Sequence, residues 1–433
     1  MRCLVFLIGV FFSSVTKGQS LDSISLKYLQ NCKEGKFEEN MSFFDSTVTG
    51  DFSATDLEEV WNSFVKKNGA FVGAEIKCVE KKEKGALAFC RLEYENAKLV
   101  IKIVFNSSAK MVGFFIVGNN NCGENKYVPP AYDYPDKYSE KTVVLLSDSI
   151  RLPGIITIPA KWQNGSPAVI FVHGSGPSDM DETIGPNKLF RDMAVGLARN
   201  GIVSLRYEKR TLNNKLNENF TIRDEVLNDV YAAIEFLKKE MKPGSIFVLG
   251  HSLGAMLAPE IAAENKKVKG IVMLAGNARL FETLVLEQHT YLTWLDDTIT
   301  KGEEEQLNEL RSQVIYLRDS LKSSSPADKL MFNIPASYWL SLKEYHQAEV
   351  LKELKNPVLI LQGKRDYQVT MKDFELWQDA AKEKPNVSFK SYEKLNHLFL
   401  EGTGKSTPEE YEFQQSIPWY VINDISKWIE KQK

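Results

Sequence analysis

Apolar positions follow two rhythms along the chain. In the first third, Leu57, Val60, Trp61 and Phe64 of "ATDLEEVWNSFVKKNG" recur at helical spacing. With an earlier helical segment they predict a start of two helices. Four short runs follow, "AEIKCVE", "ALAFCRLEYE", "KLVIKIVF" and "KMVGFFIVG", in which apolar and polar residues largely alternate. Turn formers at Lys84-Gly85, Glu95-Asn96 and Asn106-Ser107-Ser108 separate them, so a meander of antiparallel strands is expected. Residues 19–118 therefore read as a small α+β domain. Residues 119–139, opening "NNNCGENKYVPPAYDYP", are rich in turn formers and read as a linker.

From residue 140 to 433 the rhythm is different. "AVIFVH", "IVSLRY", "SIFVLGH", "GIVMLAG" and "PVLILQG" are apolar almost throughout. Amphipathic stretches lie between them, including "NKLFRDMAVGLARNG" and "IRDEVLNDVYAAIEFLKKE", where Val226, Val230, Ile234 and Leu237 share a face. Strands without a polar side are buried on both faces, which predicts an α/β fold with a mainly parallel, doubly wound sheet covered by helices. Ligands in such sheets bind beyond the C-terminal strand ends. Roughly seventy residues between "AGNARL" and "LKNPVLI" interrupt the alternation, too many for a plain connection. They read as a helical cap over about residues 277–351.

Bulk properties narrow the function. A chain of 433 residues should hold two or three units. A formal net charge of −3 gives no support for a nucleic-acid partner. Arg2, the apolar Leu4 to Phe12 and the small residues around Thr16-Lys17-Gly18 read as a signal peptide over 1–18. That apolar run is too short to span a bilayer, and no later run is long enough. A soluble, exported protein, periplasmic or secreted, is expected, and export permits disulfides. Cys32, Cys78, Cys90 and Cys122 allow three pairings. The hairpin expected at Lys84-Gly85 favours Cys78 with Cys90, leaving Cys32 with Cys122. No His/Cys cluster suggests a metal, and no cofactor is expected.

The chemistry sits at the strand ends. Gly250-His251-Ser252-Leu253-Gly254 is G-x-S-x-G between an apolar strand and the helical "AMLAPEIAA". A strand-to-helix turn this tight leaves no room for side chains two residues either side of the serine. It also sets Ser252 at a helix N-terminus, where a developing anion is favoured. "VHGSGPS" closes the first long strand, and its glycines let the backbone approach a carbonyl. The N–H groups of Ser175 and Leu253 are the expected oxyanion donors. A carboxylate and a histidine should follow in that order. Asp366 lies just past "PVLILQG" and His397 follows "NVSFKSYEKLN". His173 and His251 flank the motifs, while His289 and His346 fall in the cap. The nearby "GTGKST" is not a phosphate loop, because Phe399 stands where the first glycine is required.

With these residues assembled, the second module resembles the α/β-hydrolase superfamily. It is most similar to a bacterial carboxylesterase group that carries an N-terminal domain of unknown function related to the nuclear-transport-factor fold. "HGSGPSDMDETIGPNKLFRD", "LRYEKRT", "GHSLGAMLAPEIAA", "LQGKRDYQV" and "LNHLFLEGTGKSTPEEY" carry the resemblance. Family members usually show D-R-D-E where this chain has Asp179-Met180-Asp181-Glu182, and often Asp at Glu208. The departures leave Ser252, Asp366 and His397 intact but touch the substrate side. Pro259 inside the post-nucleophile helix fits the group's pattern.

The expected activity is hydrolysis of carboxylic esters with short or medium acyl, acetyl or aryl groups, through a Ser-His-Asp triad and an acyl-enzyme. The partner is a small-molecule ester, with no nucleic acid and no membrane span. The N-terminal domain reads as a stabilising or homodimer-forming module. Trp294, Tyr338 and Trp339, with Tyr291 and Tyr345, are candidates for an acyl pocket. Arg206, Lys209 and Arg210 read rather as structural partners of Asp179 or Asp181. A serine aminopeptidase on the same fold is the alternative and would need an acidic subsite from Asp296, Asp297 or Glu303. A non-catalytic binding protein should lack a triad member, and none is missing.

Overall fold

The computed structural model describes residues 20–50, 52–82, 85–117, 126–295 and 297–432. The chain divides into two compact units at Glu124 and Asn125. In the first, Ser20 caps α1 (Leu21–Lys33), two short turns follow as α2 (Phe37–Asn40) and α3 (Ser46–Thr49), and a Ser53/Asp56 capping box opens α4 (Ala54–Asn68). Strands β1 (Phe71–Lys82), β2 (Gly85–Tyr94), β3 (Lys98–Asn106) and β4 (Met111–Val117) form an antiparallel meander in that order. Alternation does the sorting. Ala86, Ala88, Cys90, Leu92 and Tyr94 face the helices, packing with Leu29, Leu57 and Trp61, whereas Leu87 and Phe89 face the other way.

The expected disulfides are not the ones formed. Cys32 and Cys90 are free, buried thiols, and burial pushes each up to about 12. The reason is register. A bulge between Ile76 and Cys78 sets Cys90 opposite Ile76, while Cys78 pairs with Phe89 on the opposite sheet face. Cys78 is disulfide-bonded, and Cys122 lies outside the described residues.

The second unit is built on eight strands in the order β14-β13-β12-β11-β7-β10-β6-β5. Strands β5 (Tyr138–Ser147) and β6 (Ile150–Pro159) form an antiparallel edge hairpin, and β7 (Pro167–Val172) begins the parallel part. A two-rung hairpin, β8 (Thr183–Ile184) with β9 (Asn187–Lys188), leads into α5 (Leu189–Arg199), then β10 (Val203–Tyr207). A π-helical turn, Arg223–Leu227, precedes α6 (Asn228–Met241); β11 (Ser245–His251), α7 (Leu253–Glu264) and β12 (Val268–Leu274) follow. Next come the cap helices α8 (Phe281–Thr293), α9 (Lys301–Asp319), α10 (Ala336–Glu344) and α11 (Gln347–Glu353). The chain closes with β13 (Val358–Gly363), α12 (Met371–Ala380), β14 (Val387–Tyr392) and α13 (Trp419–Lys431).

Every residue of β7 and β13 is buried, as an apolar-throughout pattern requires. Ala168, Ile170 and Val172 enter one core with α6, α7, α12 and the cap; Val169 and Phe171 enter the other with α5 and α13. The helix α7 runs through Pro259, which is buried at a position where a proline removes one rung of the ladder. No helix of the described residues is long and apolar enough to cross a membrane. This is the α/β-hydrolase architecture.

Candidate active site

The turn from β11 into α7 shows why its glycines are required. A Cβ on Gly250 would meet Gly254 O at 2.2 Å, and one on Gly254 would meet Val172 O at 2.2 Å. Between them Ser252 adopts φ 52° and ψ −115°. A non-glycine residue held there stores about 1–3 kcal/mol, offset by the surrounding fold. The N–H of Ser252 is spent on Leu274 O at 2.9 Å. Leu253, first residue of α7, has no acceptor for its N–H within the helix.

Asp366 and His397 meet as expected. His397 Nδ1 hydrogen-bonds Asp366 Oδ2 at 2.7 Å, with both side chains buried. Asp366 is itself fixed by three donors, Gln362 Nε2 on Oδ2 at 3.0 Å and the N–H groups of Gln368 and Val369 on Oδ1 at 2.8 and 2.9 Å. Ser252 is tied to the same place through its neighbour. His251 Nε2 bonds the carbonyl of His397 at 3.0 Å, and the two imidazoles lie 4.7 Å apart. Among the described residues the Ser252 hydroxyl makes no hydrogen bond; such contacts often tighten only with substrate bound.

The H-G-S-G loop lies against Ser252, a Cβ on Gly174 falling 3.4 Å from Ser252 Cβ. Ser175 is exposed at its tip. Gly174 is held on both sides, its N–H by Glu182 Oε1 at 2.7 Å and its carbonyl by Lys209 Nζ at 2.9 Å. Glu182 Oε2 also lies 3.2 Å from His251 Nδ1. Burial works against both charges, yet the pair prevails: His251 titrates above the usual imidazole range and Glu182 below the usual carboxylate range. His173, by contrast, is depressed to about 4 by burial and stays neutral. The sequence offers no role for Glu182 beyond the acidic run eight residues past Gly174, and Lys209, expected on Asp179 or Asp181, is found on Gly174 O and Glu225 instead.

The aromatic candidates separate. Tyr338 and Trp339 are only 3% and 2% exposed, packed in the core against Phe220 and Phe281. Helical periodicity in α10 buries them as structure, so they do not line an open pocket. Trp294 is 46% exposed at the end of α8, and Tyr345 is buried with its hydroxyl on Met256 O. Tyr291 is the cap aromatic joined to the site: it stacks on Tyr367, beside Asp366, at 4.9 Å. Arg206 pairs with Asp181 as expected, whereas Arg210 pairs with Asp229 and Lys209 with Glu225. Of the acids an amine subsite would need, Glu303 closes the capping box of α9, Asp297 is exposed beside Lys405, and Asp296 lies outside the described residues. The "GTGKST" segment is a loop beside the site, its Thr403 and Gly404 carbonyls bound by Arg365.

Fold and site together define an α/β-hydrolase. Residues 186–403 match the family described as serine aminopeptidase, S33, and the chain belongs to it. Residues 25–114 match a protein of unknown function (DUF3887). Over its whole length the chain is similar to Esterase EstD of Thermotoga maritima, 36% identical across 434 residues and 100% of both chains. Solved structures of similar architecture include Est1E from Butyrivibrio proteoclasticus, with TM-score 0.45, 16% identity and 67% and 98% of the two chains covered. Another is the Pyrococcus furiosus esterase Pf2001, with TM-score 0.45, 17% identity and 72% and 99% covered.

Proposed function

We propose that the protein hydrolyses carboxylic esters of small molecules through Ser252, His397 and Asp366. His397 Nε2 takes the Ser252 proton as Oγ attacks the ester carbonyl. Asp366 holds the imidazole in the required tautomer and stabilises its cation. The oxyanion is received by the N–H groups of Ser175 and Leu253. His397 then protonates the departing alcohol, and water attacks the acyl-enzyme with His397 again as base. The observation that carries this reading is the buried 2.7 Å bond from His397 to Asp366 beside a serine in the left-handed region. Similarity to an esterase over the full chain length supports ester rather than peptide substrates.

The test compares p-nitrophenyl acetate with amino-acid p-nitroanilides. Ester turnover should dominate, and Ser252→Ala should abolish it; full activity in that variant would end the assignment. Preference for the anilides would favour the aminopeptidase reading. Export through a cleaved leader over 1–18 is part of the proposal, supported by the disulfide at Cys78. Its check is the N-terminus of the mature protein recovered from periplasm or medium. A dimer through the first unit would appear in sedimentation of the mature chain.

A further inference from the structure

We propose that Lys209 is a positioning residue for the oxyanion hole, its buried ammonium orienting and polarising the Gly174–Ser175 peptide whose N–H receives the developing charge. The inference rests on the ester-hydrolase reading and extends it to a side chain outside the triad. Lys209 Nζ lies 2.9 Å from Gly174 O. That oxygen belongs to the same peptide group as the Ser175 N–H. Because the group is planar and trans, its C=O and N–H point in opposite directions. Fixing the oxygen therefore fixes the hydrogen.

A cation on the carbonyl oxygen does more than hold it. It draws electron density through the amide, so the N–H becomes a stronger donor. The arrangement is sheltered from water, with the side chains of Lys209 and Glu225 only 3% and 8% exposed. Glu225 pairs with the ammonium at 2.5 Å from the π-helical turn Arg223–Leu227. Tyr338 of α10 is buried near Glu225, and burial, with that carboxylate, raises its hydroxyl well above the ordinary tyrosine range. The backbone N–H of Lys209 also holds Ser178 O at 3.0 Å, which closes the same loop at a second point. Lys209 touches neither substrate nor reacting atom. Its effect passes through one peptide, and it should be felt in the transition state more than in the ground state.

The test uses Lys209→Met and the double variant Lys209→Met/Glu225→Gln, which removes both charges and carries the test if the single variant fails to fold. Turnover and KM are measured with p-nitrophenyl acetate, and affinity with a trifluoromethyl ketone that forms a tetrahedral oxyanion on the serine. Loss of a whole oxyanion donor costs about 10²–10³ in turnover, so a donor left misaligned should cost about 10–100-fold in kcat. KM should stay within about threefold, and ketone affinity should fall in step with kcat/KM. A folded variant with kcat within about twofold of the parent overturns the inference, as does a loss carried by KM with ketone affinity unchanged. Fluorophosphonate labelling of the parent separates the two readings. If Ser252 is not labelled, the ester-hydrolase mechanism itself fails; if it is labelled and the variants are unimpaired, only the role of Lys209 falls.

Discussion

At Asp366 both carboxylate oxygens are needed as acceptors. Oδ1 takes two backbone N–H groups, while Oδ2 takes Gln362 Nε2 and faces His397 Nδ1. An asparagine offers one acceptor. With its oxygen on the backbone donors, its NH₂ would face the Gln362 amide and oblige His397 to carry its proton on Nε2, where it cannot accept from Ser252. Asp366→Asn should therefore lower kcat about 10⁴-fold with little change in KM, as steady-state kinetics would show. The elbow makes a second contrast. Gly250→Ala places a methyl 2.2 Å from Gly254 O, against backbone that cannot yield, so soluble, active protein should be lost. Leu253→Met keeps volume and main-chain donor, and kcat should stay within about threefold. These candidate positions were legible in the sequence because the proposed chemistry fixes residue type and spacing. The contacts of Glu182 and Lys209 with Gly174 were not, because neither residue lies in a fixed-spacing motif and each meets a backbone group that only the folded loop brings to it.

At the level of elements, fully apolar strands announced themselves and the edge hairpin did not. In β5, Val144 and Leu146 remain 42% and 66% exposed, and β6 contains Pro153, so neither strand shows the signature of a buried one. Of the two, only β5 is at the edge; β6 is paired with both β5 and β10, and it holds Pro153 where the β10 ladder has ended, its last partner being the next residue, Gly154. The cap was legible as an insertion, but its aromatics were not separable into core and pocket, since one helical face looks alike in either use. Its entrance has a definite anchor. Asp373 on α12 is fully buried and accepts from the N–H groups of Ala278 and Arg279 and from the Arg279 guanidinium. Asp373→Ala strands those donors, and breaking such a buried pair costs about 3–5 kcal/mol. A lower melting temperature and faster proteolytic cleavage within residues 278–353 should follow. Unchanged cleavage kinetics would show that the cap is held elsewhere.

Across the second unit as a whole, one buried acid joins distant parts of the chain. Asp192 on α5 accepts from the hydroxyl of Tyr127, near the start of the unit, and from the N–H of Ile417, just before α13. Burial, only partly countered by these donors and by Arg191, raises its carboxyl to about 7. The folded chain keeps this proton up to that pH, whereas an unfolded aspartic acid releases it near 4. Between the two values the folded state binds the extra proton, so stability from this group falls as pH rises, by at most about 1.4 kcal/mol per pH unit, and levels off above pH 7. Glu182, Asp181 and Glu140 titrate below the usual range and contribute in the opposite sense at lower pH. A difference measurement removes them. Asp192→Asn can still accept from Ile417 N–H but carries no charge at any pH. Its melting temperature relative to the parent should rise steadily from pH 5 to pH 7 and then hold constant to pH 8. A difference that stays flat over that interval would mean that Asp192 is already ionised in the folded protein, and the join between Tyr127, α5 and Ile417 would then have to be an ionic one, weakened rather than strengthened by the amide.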